Sequence, residues 1–436
     1  MTDKTIETIK TSIRALLSDS ISATVDASLP LDKLRGVAGF NPIRDERFTS
    51  LSSFPAAAKI VTTIPNFTAR FGNDNSTRFV LQFLYQYFRR VDAIKLDDAT
   101  FESLWEDFLF ELIQEPDWLY RAVSNLRCFR TERPPLEVVD LGDGVTIRGR
   151  SSAELKSLGF DDPIWDQVAE DLRTGFGQSS HVLVIEHRVP KNPENLILMD
   201  SYQLEIKAFR ALQALRLSGP GSVSIGFLWP IRAARFNVGF GGLQRSGFSI
   251  PAIGGDSYLW TETIAQTYPV VYGALSQLER NQYRNAPVTL DVALRAFGGT
   301  YDRYPLYRDS QLVDAITALE ALVGISTELR FRIAFRVAGL LAESHAERIA
   351  LLQSMKEFYD TRSAVIHGGR LNAKQRGHLE HFEELREIVR RLLRSFVVFS
   401  VNASHSYSKS FFDEKLDITL ADTGEREKLR SALGLA

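Results

Sequence analysis

The stretch HAERIALLQSMKEFYDTRSAVIHGG (345–369) decides how the chain is read. Its apolar residues recur three and four apart, a helical period, and the paired glycines at 368 and 369 are a strong helix stop. Just inside that stop stand Arg362 and His367, five residues apart. A structural helix end has its own uses for such residues: an arginine pairs with a carboxylate, and a histidine meets the last carbonyls. Both residue types also suit phosphoryl chemistry. A guanidinium offers a planar, permanently charged fork to two phosphate oxygens, and an imidazole titrates near neutrality and moves protons. At about 100° per residue, Tyr359, Ser363 and His367 share one helix face, whereas Arg362 lies roughly 140° round from His367. One straight helix does not bring the pair to one small group. A distorted last turn would do so, and so would a second copy of the helix across a two-fold axis.

Working outward, DSQLVDAITALEALVG (309–324) reads as a helix capped by Asp309 or Ser310 and ended by Gly324. TELRFRIAFRVAGLLAES (327–344) reads as a second, capped by Ser326 or Thr327. The quoted stretch is the third, and a fourth runs from about Gln375 through HLEHFEELREIVRRLLRSFVVFSVNAS. Helices with short connections predict an all-α bundle over 286–436.

Residues 1–285 read as a mixed α+β region, divisible near residue 130. The first part is mostly helical, with DNSTRFVLQFLYQYFRRV (74–91) capped by Asn75 or Ser76, and ATFESLWEDFLFELIQ (99–114) following. Cys128 falls in the same helical pattern as a small core residue. The character changes at PPLEVVDLGDGVTIRGR (134–150), where Gly-Asp-Gly predicts a hairpin. HVLVIEHRV (181–189) and LILMD (196–200) read as strands, and QLEIKAFRALQALRL (203–217) as a helix. SVSIGFLWP (222–230) and FNVGFGGLQRSGFSIPAIGG (236–255) return to strands and glycine-rich turns.

The net charge of −2 over 436 residues provides no global basic field for nucleic acid, so any RNA contact must be local. A single cysteine leaves no internal disulfide, and no run of about 20 apolar residues offers a membrane span. With no signal-peptide pattern at the N-terminus, these features predict a cytoplasmic protein away from the membrane. No metal or cofactor is expected. GFGGLQRSG (239–247) lacks the Gly-Lys-Ser/Thr of a phosphate loop. Asp200, Glu205 and Lys207 resemble a metal-dependent nuclease set only if Glu205 and Lys207 lie on a strand, and here they begin a helical run. His181 and His187 share a strand face as structural histidines, and His378 with His381 reads as polar helix surface.

Taken together, LRAFGGTYDRYPLYRDSQLVDAITALEALVG (294–324), RIAFRVAGLL (332–341) and FYDTRSAVIHGG (358–369) resemble the Apea-like branch of the HEPN superfamily over about residues 286–400. The shared features are Asp309 before the first helix, Glu320 within A-L-E-A-L, the Arg336-to-Leu341 run, and Y-x-x-R-S-x-x-x-H-G. The resemblance implies a four-helix bundle, usually a homodimer, acting as a metal-independent endoribonuclease in toxin or anti-phage systems. It places Arg362 and His367 at the catalytic positions. Many HEPN proteins have Asn or Asp after the arginine, where this chain has Ser363, as the Apea-like branch commonly does; its role is either positioning or packing. Residues 1–285 would then sense an activating ligand or phage component, or select substrate. Tyr359 is read equally as a phosphate or base contact and as half-buried core. For Glu320, pairing with Arg332 or Arg336 is favoured over orienting Arg362. Arg386, Arg390 and Arg394 form a stripe four apart that could track an RNA backbone. A solvated face with Glu387 paired to Arg391 is favoured. The alternative to a nuclease is a bundle that binds RNA or protein without cutting.

Overall fold

The computed structural model describes residues 3–31, 34, 46–72, 75–132, 138–151, 153–154, 158, 180–192, 201–226, 228–232, 235–236, 257–281, 289–303, 306–324, 327–402, 411 and 415–435. Within them the chain is mixed α and β, with helices before and after a sheet and a helical C-terminal third. The expected strand at 196–200, Asp200, the glycine-rich run at 239–247 and Ser326 lie outside the described residues.

The longer N-terminal helices are α1 (Asp3–Asp26), α2 (Phe54–Val61), α3 (Ser76–Arg90) and α4 (Asp98–Leu109). The apolar stripe of α3 meets α4 through aromatic edges: Phe83 lies 5.7 Å from Phe101 and 5.4 Å from Phe108, centroid to centroid. Helix α3 starts where its sequence indicates, but Asn75 turns its amide back to the Phe71 carbonyl (2.6 Å) instead of capping.

Extended chain begins at Asp117, well before the change expected near 134. Strand β1 (Asp117–Arg127) buries Trp118, Tyr120 and Ala122 in alternation, and then every residue to Arg127. A strand buried on both faces loses its period of two and cannot be told from a buried helix by periodicity. Cys128 is therefore not helical. It sits half-buried at the bend into β2 (Phe129–Thr131), with φ 57°, and its carbonyl accepts from the Tyr258 amide at 2.7 Å.

The hairpin forms as read, from β3 (Val139–Gly142) to β4 (Val145–Gly149), turning on Asp143 and Gly144 with both φ positive. Then come β5 (His181–Pro190), α5 (Ser201–Ser218), β6 (Ser224–Ile225), β7 (Trp229–Arg232) and β8 (Tyr258–Trp260). The antiparallel sheet runs β3-β4-β5-β1-β6, with β7 also on β1, and α5 lies against β1, β4 and β5. Strands β2 and β8 form a separate parallel pair.

After the sheet come α6 (Glu262–Arg280), which closes the N-terminal region, and then the C-terminal helices α7 (Leu290–Asp302), α8 (Arg308–Val323), α9 (Leu329–Leu341), α10 (His345–Ile366), α11 (Ala373–Glu380), α12 (Phe382–Asn402), α13 (Leu416–Ala421) and α14 (Thr423–Ala432). Helix α8 is central and touches α7, α9, α10 and α12. The expected fourth helix is two: α11, opened by an Asn372–Gln375 capping box, and α12, separated at His381. Neither Asp309, Ser310 nor Thr327 caps its helix; Asp309 lies inside the first turn of α8, and α9 starts from a left-handed Glu328. Helix α10 does carry a reciprocal cap, Ser344 with Glu347. Helix α12 also packs against α5 and α6, and the buried apolar residues from Ile9 to Leu435 form one cluster across residue 285. Among the described residues no helix is long and apolar enough to cross a membrane.

One buried charge pins the sheet to the N-terminal helices. Lys191 Nζ donates to the Glu111 carbonyl (2.7 Å), to Glu111 Oε1 (2.7 Å) and to the Glu115 carbonyl (2.8 Å), 4.5 Å from the Trp118 ring centroid. Burial pulls the ammonium down to about 8 from 10.5, against the opposing pull of Glu111. Between those values the unfolded chain holds more protons, so this group makes folding stability rise with pH. Urea unfolding should show that rise between about pH 8 and pH 10 in wild type relative to Lys191→Met. Parallel profiles for the two proteins would refute it.

Candidate active site

Helix α10 ends as its sequence indicates. The His367 amide donates to the Ser363 carbonyl (3.1 Å), Gly368 to Val365 (3.1 Å) and Gly369 to Ala364 (2.8 Å). This is the Schellman pattern, and Gly368 supplies its left-handed residue at φ 66°. The motif therefore closes cleanly, with His367 as the last residue before the reversal.

Arg362 lies about a turn and a half earlier, half-buried against α8. Its Nη2 donates to Glu320 Oε2 at 3.2 Å, and its guanidinium carbon stands 5.7 Å from the Tyr359 ring centroid. The favoured expectation for Glu320 is thereby corrected. Arg336 and Arg332 turn instead to Asp417, at 2.6 and 3.3 Å, leaving Glu320 to orient Arg362. Asp417 lies on α13, too far along the chain for helical spacing to reveal it. The Glu320–Arg362 contact uses one oxygen and one nitrogen of a pair that could meet through two. Glu320 Oε1 and Arg362 Nε are buried without a hydrogen-bond partner among the described residues. The Arg362 side chain keeps 22% exposure.

Gly324 is what lets α8 stop one turn after Glu320. A Cβ there would stand 2.3 Å from the Glu320 carbonyl oxygen, so only glycine fits. Burial raises the Tyr359 pKa first, and the neighbouring Glu320 charge adds to it, while Arg362 opposes. The phenol therefore remains a neutral donor. It is packed on the core, as the half-buried reading has it, and it also stands beside the arginine. Ser363 is half-buried, and its carbonyl serves the helix end.

His367 is exposed, and no side chain among the described residues binds its imidazole. The structure thus brings Arg362, Glu320 and Tyr359 together and leaves His367 outside that cluster.

Arg386 and Arg390 of the arginine stripe form neither an RNA track nor a solvated face. Arg386 and Arg390 are 5% and 6% exposed. Arg386 pairs with Glu383 and stacks 4.4 Å from the Tyr301 ring centroid, which Arg216 also approaches, at 4.6 Å. Arg390 pairs with Glu387, which helical spacing assigns to Arg391, and donates to the Leu217 carbonyl of α5 at 3.1 Å. Arg394 is half-buried, and desolvation pulls its pKa down. Arg390 fastens α12 to α5, and Arg386 fastens it to Tyr301 of α7. The apolar residues interleaved with them were the available signal.

His378 is not simple helix surface either. Its Nδ1 lies 2.8 Å from Thr361 Oγ1 and its Nε2 lies 3.4 Å from Glu357, so it docks α11 onto α10 beside the motif. His381 is exposed and pairs with Glu384. Glu205 and Lys207 lie on α5, and Lys207 bonds Asp143, so the strand geometry of a metal-dependent nuclease is not present there. No protein-family model, no curated protein and no solved structure matches the chain.

Arg386→Ala removes a buried cation from the Tyr301 face and should cost about 1–3 kcal/mol in urea unfolding. An unchanged midpoint and slope would show that the stack does not hold α12. Glu320→Gln removes a negative charge beside Tyr359, so the Tyr359 pKa should fall by NMR titration of labelled tyrosine. A pKa that stays or rises would remove Glu320 from the cluster.

Proposed function

We propose that the chain is a metal-independent endoribonuclease of the HEPN type. The observation that carries this reading is the arrangement on α10. Arg362 is half-buried and oriented by Glu320 and Tyr359, with part of its side chain exposed, while His367 stands exposed and uncommitted at the helix end. The resemblance of 286–400 to the Apea-like HEPN branch, residue by residue at Tyr359, Arg362, Ser363, His367 and Gly368, supports the same assignment.

In this mechanism the 2′-hydroxyl of RNA is the nucleophile. A base takes its proton, O2′ bonds to the adjacent phosphorus, and the P–O5′ bond breaks as an acid protonates the leaving O5′. The products are a 2′,3′-cyclic phosphate and a 5′-hydroxyl. Arg362 binds the phosphate and stabilises the charge that develops on its oxygens. His367 moves the protons. Because the two diverge by roughly 140° on one helix, the site is composite, formed by two copies in a homodimer. Ile366 of α10, 47% exposed, supplies apolar surface beside the motif for that approach. The N-terminal region restrains or directs cutting in a toxin or anti-phage setting.

A bundle that binds without cutting has one observation in its favour: Glu320 already occupies part of the Arg362 fork. The two readings separate in one assay. Incubated with total RNA in excess chelator, wild type should yield fragments with 2′,3′-cyclic phosphate and 5′-hydroxyl ends, and His367→Ala should lose about 100-fold or more of that activity. Arg362→Lys should fail too, since an ammonium cannot reproduce the fork. RNA bound by wild type but never cut would favour the binding module. Equal cleavage by His367→Ala would remove that residue from the chemistry.

A further inference from the structure

We infer that the N-terminal region holds a binding site for a nucleoside phosphate, in a cavity the sequence does not reveal. The cavity, about 520 Å³, lies between the β3–β4 turn, β5, α5 and α6. That volume is within the range of small-molecule sites, about 300–1,000 Å³. The site is independent of the ribonuclease reading.

Charge decides the ligand class. The lining carries Lys207, Arg210 and Arg280 against a single carboxylate, Asp143. Asp143 is shared: Lys207 Nζ, Arg210 Nη1 and the Tyr272 hydroxyl each lie 3.2 Å from its oxygens. Glu279 takes up Arg210 from outside the lining, with Nε to Oε2 at 2.9 Å. Arg280 meets Ser276 on its own helix, at 3.2 Å to the carbonyl and 3.1 Å to the hydroxyl, and no carboxylate among the described residues neutralises it. The excess positive charge therefore faces the cavity on an exposed side chain, and a phosphoryl group is the anion whose geometry a guanidinium matches.

The rest of the wall suits a heterocycle. Gln203, His187 and Tyr272 put an amide, an imidazole and a phenol into the wall, polar groups of the kinds that meet the edge of a base. Burial holds the Tyr272 hydroxyl up to about 12, and its one proton goes to Asp143 Oδ2, so its oxygen meets a ligand as an acceptor. Gly273 lines the cavity, and a Cβ built there meets no atom within 4 Å. Helices α5 and α6 also contact α12, so an occupied cavity lies one helix away from the C-terminal bundle.

Isothermal titration of the full chain with AMP, GMP, CMP and UMP tests the site, with the matching nucleosides and inorganic phosphate as comparison. At least one nucleotide should bind with a Kd on the order of micromolar. Arg280→Ala, an exposed change that should leave the fold intact, should weaken that binding about tenfold or more. Gly273→Phe, which fills the space without removing a charge, should abolish it. Absence of binding by all four nucleotides overturns the inference, as does binding unaffected by both substitutions. Inorganic phosphate or a free nucleoside binding as tightly as the nucleotide would overturn the assigned class.

Discussion

The candidate site depends on one partly buried ion pair, Glu320 with Arg362. A carboxylate within the apolar run of the central helix α8 carries a desolvation cost that only a partner offsets. The partner arrives from α10, so the pair fixes the rotation of α10 about its own axis. That rotation in turn sets the direction in which the chain leaves at His367. Gly324, one turn after Glu320, allows α8 to end without colliding with the Glu320 carbonyl, so the two helix ends are positioned by the same few residues.

Arginines do much of the joining elsewhere, and they do it at helix C-termini. Arg390 of α12 reaches the Leu217 carbonyl at the end of α5, and Arg336 of α9 reaches the Val323 carbonyl at the end of α8. Arg426 and Arg430 of α14 reach the Ala342 and Leu340 carbonyls at the end of α9. Carbonyls at a helix end lack partners inside their own helix and carry the negative end of the dipole, so a guanidinium satisfies them twice over. The consequence is architectural: α12 is locked to α5 by a charged side chain that is almost wholly buried, which couples the C-terminal helices to the sheet region.

Local signals in the chain are legible where one residue type imposes one geometry. Gly-Asp-Gly makes the β3–β4 hairpin, the run ending Ala-Val-Ile-His-Gly-Gly closes α10 in a Schellman turn, and the Val- and Ile-rich run at 181–190 makes β5. Legibility fails where burial or distant partners decide. Strand β1 is buried on both faces along half its length, so its alternation vanishes and the helical reading of the first 130 residues runs on into it and Cys128. The stripe Arg386, Arg390, Arg394 has helical spacing whatever lies opposite, and only the fold places Tyr301 and Leu217 there. Glu320 has three arginines within reach of a sequence argument. Asp417, 81 residues beyond Arg336, occupies that arginine and Arg332 from α13 and so leaves Arg362 to Glu320.

In the site we propose, Arg362 of one copy works with His367 of another. Mixing two inactive variants, Arg362→Lys and His367→Ala, puts that pairing to the test. If the site is composite, random pairing makes about half the dimers mixed, each with one intact site of two, so cleavage should return to about a quarter of the wild-type rate. If the mixture stays as inactive as either variant alone while mixed dimers are shown to form, each site draws both residues from one chain, and the composite account is wrong.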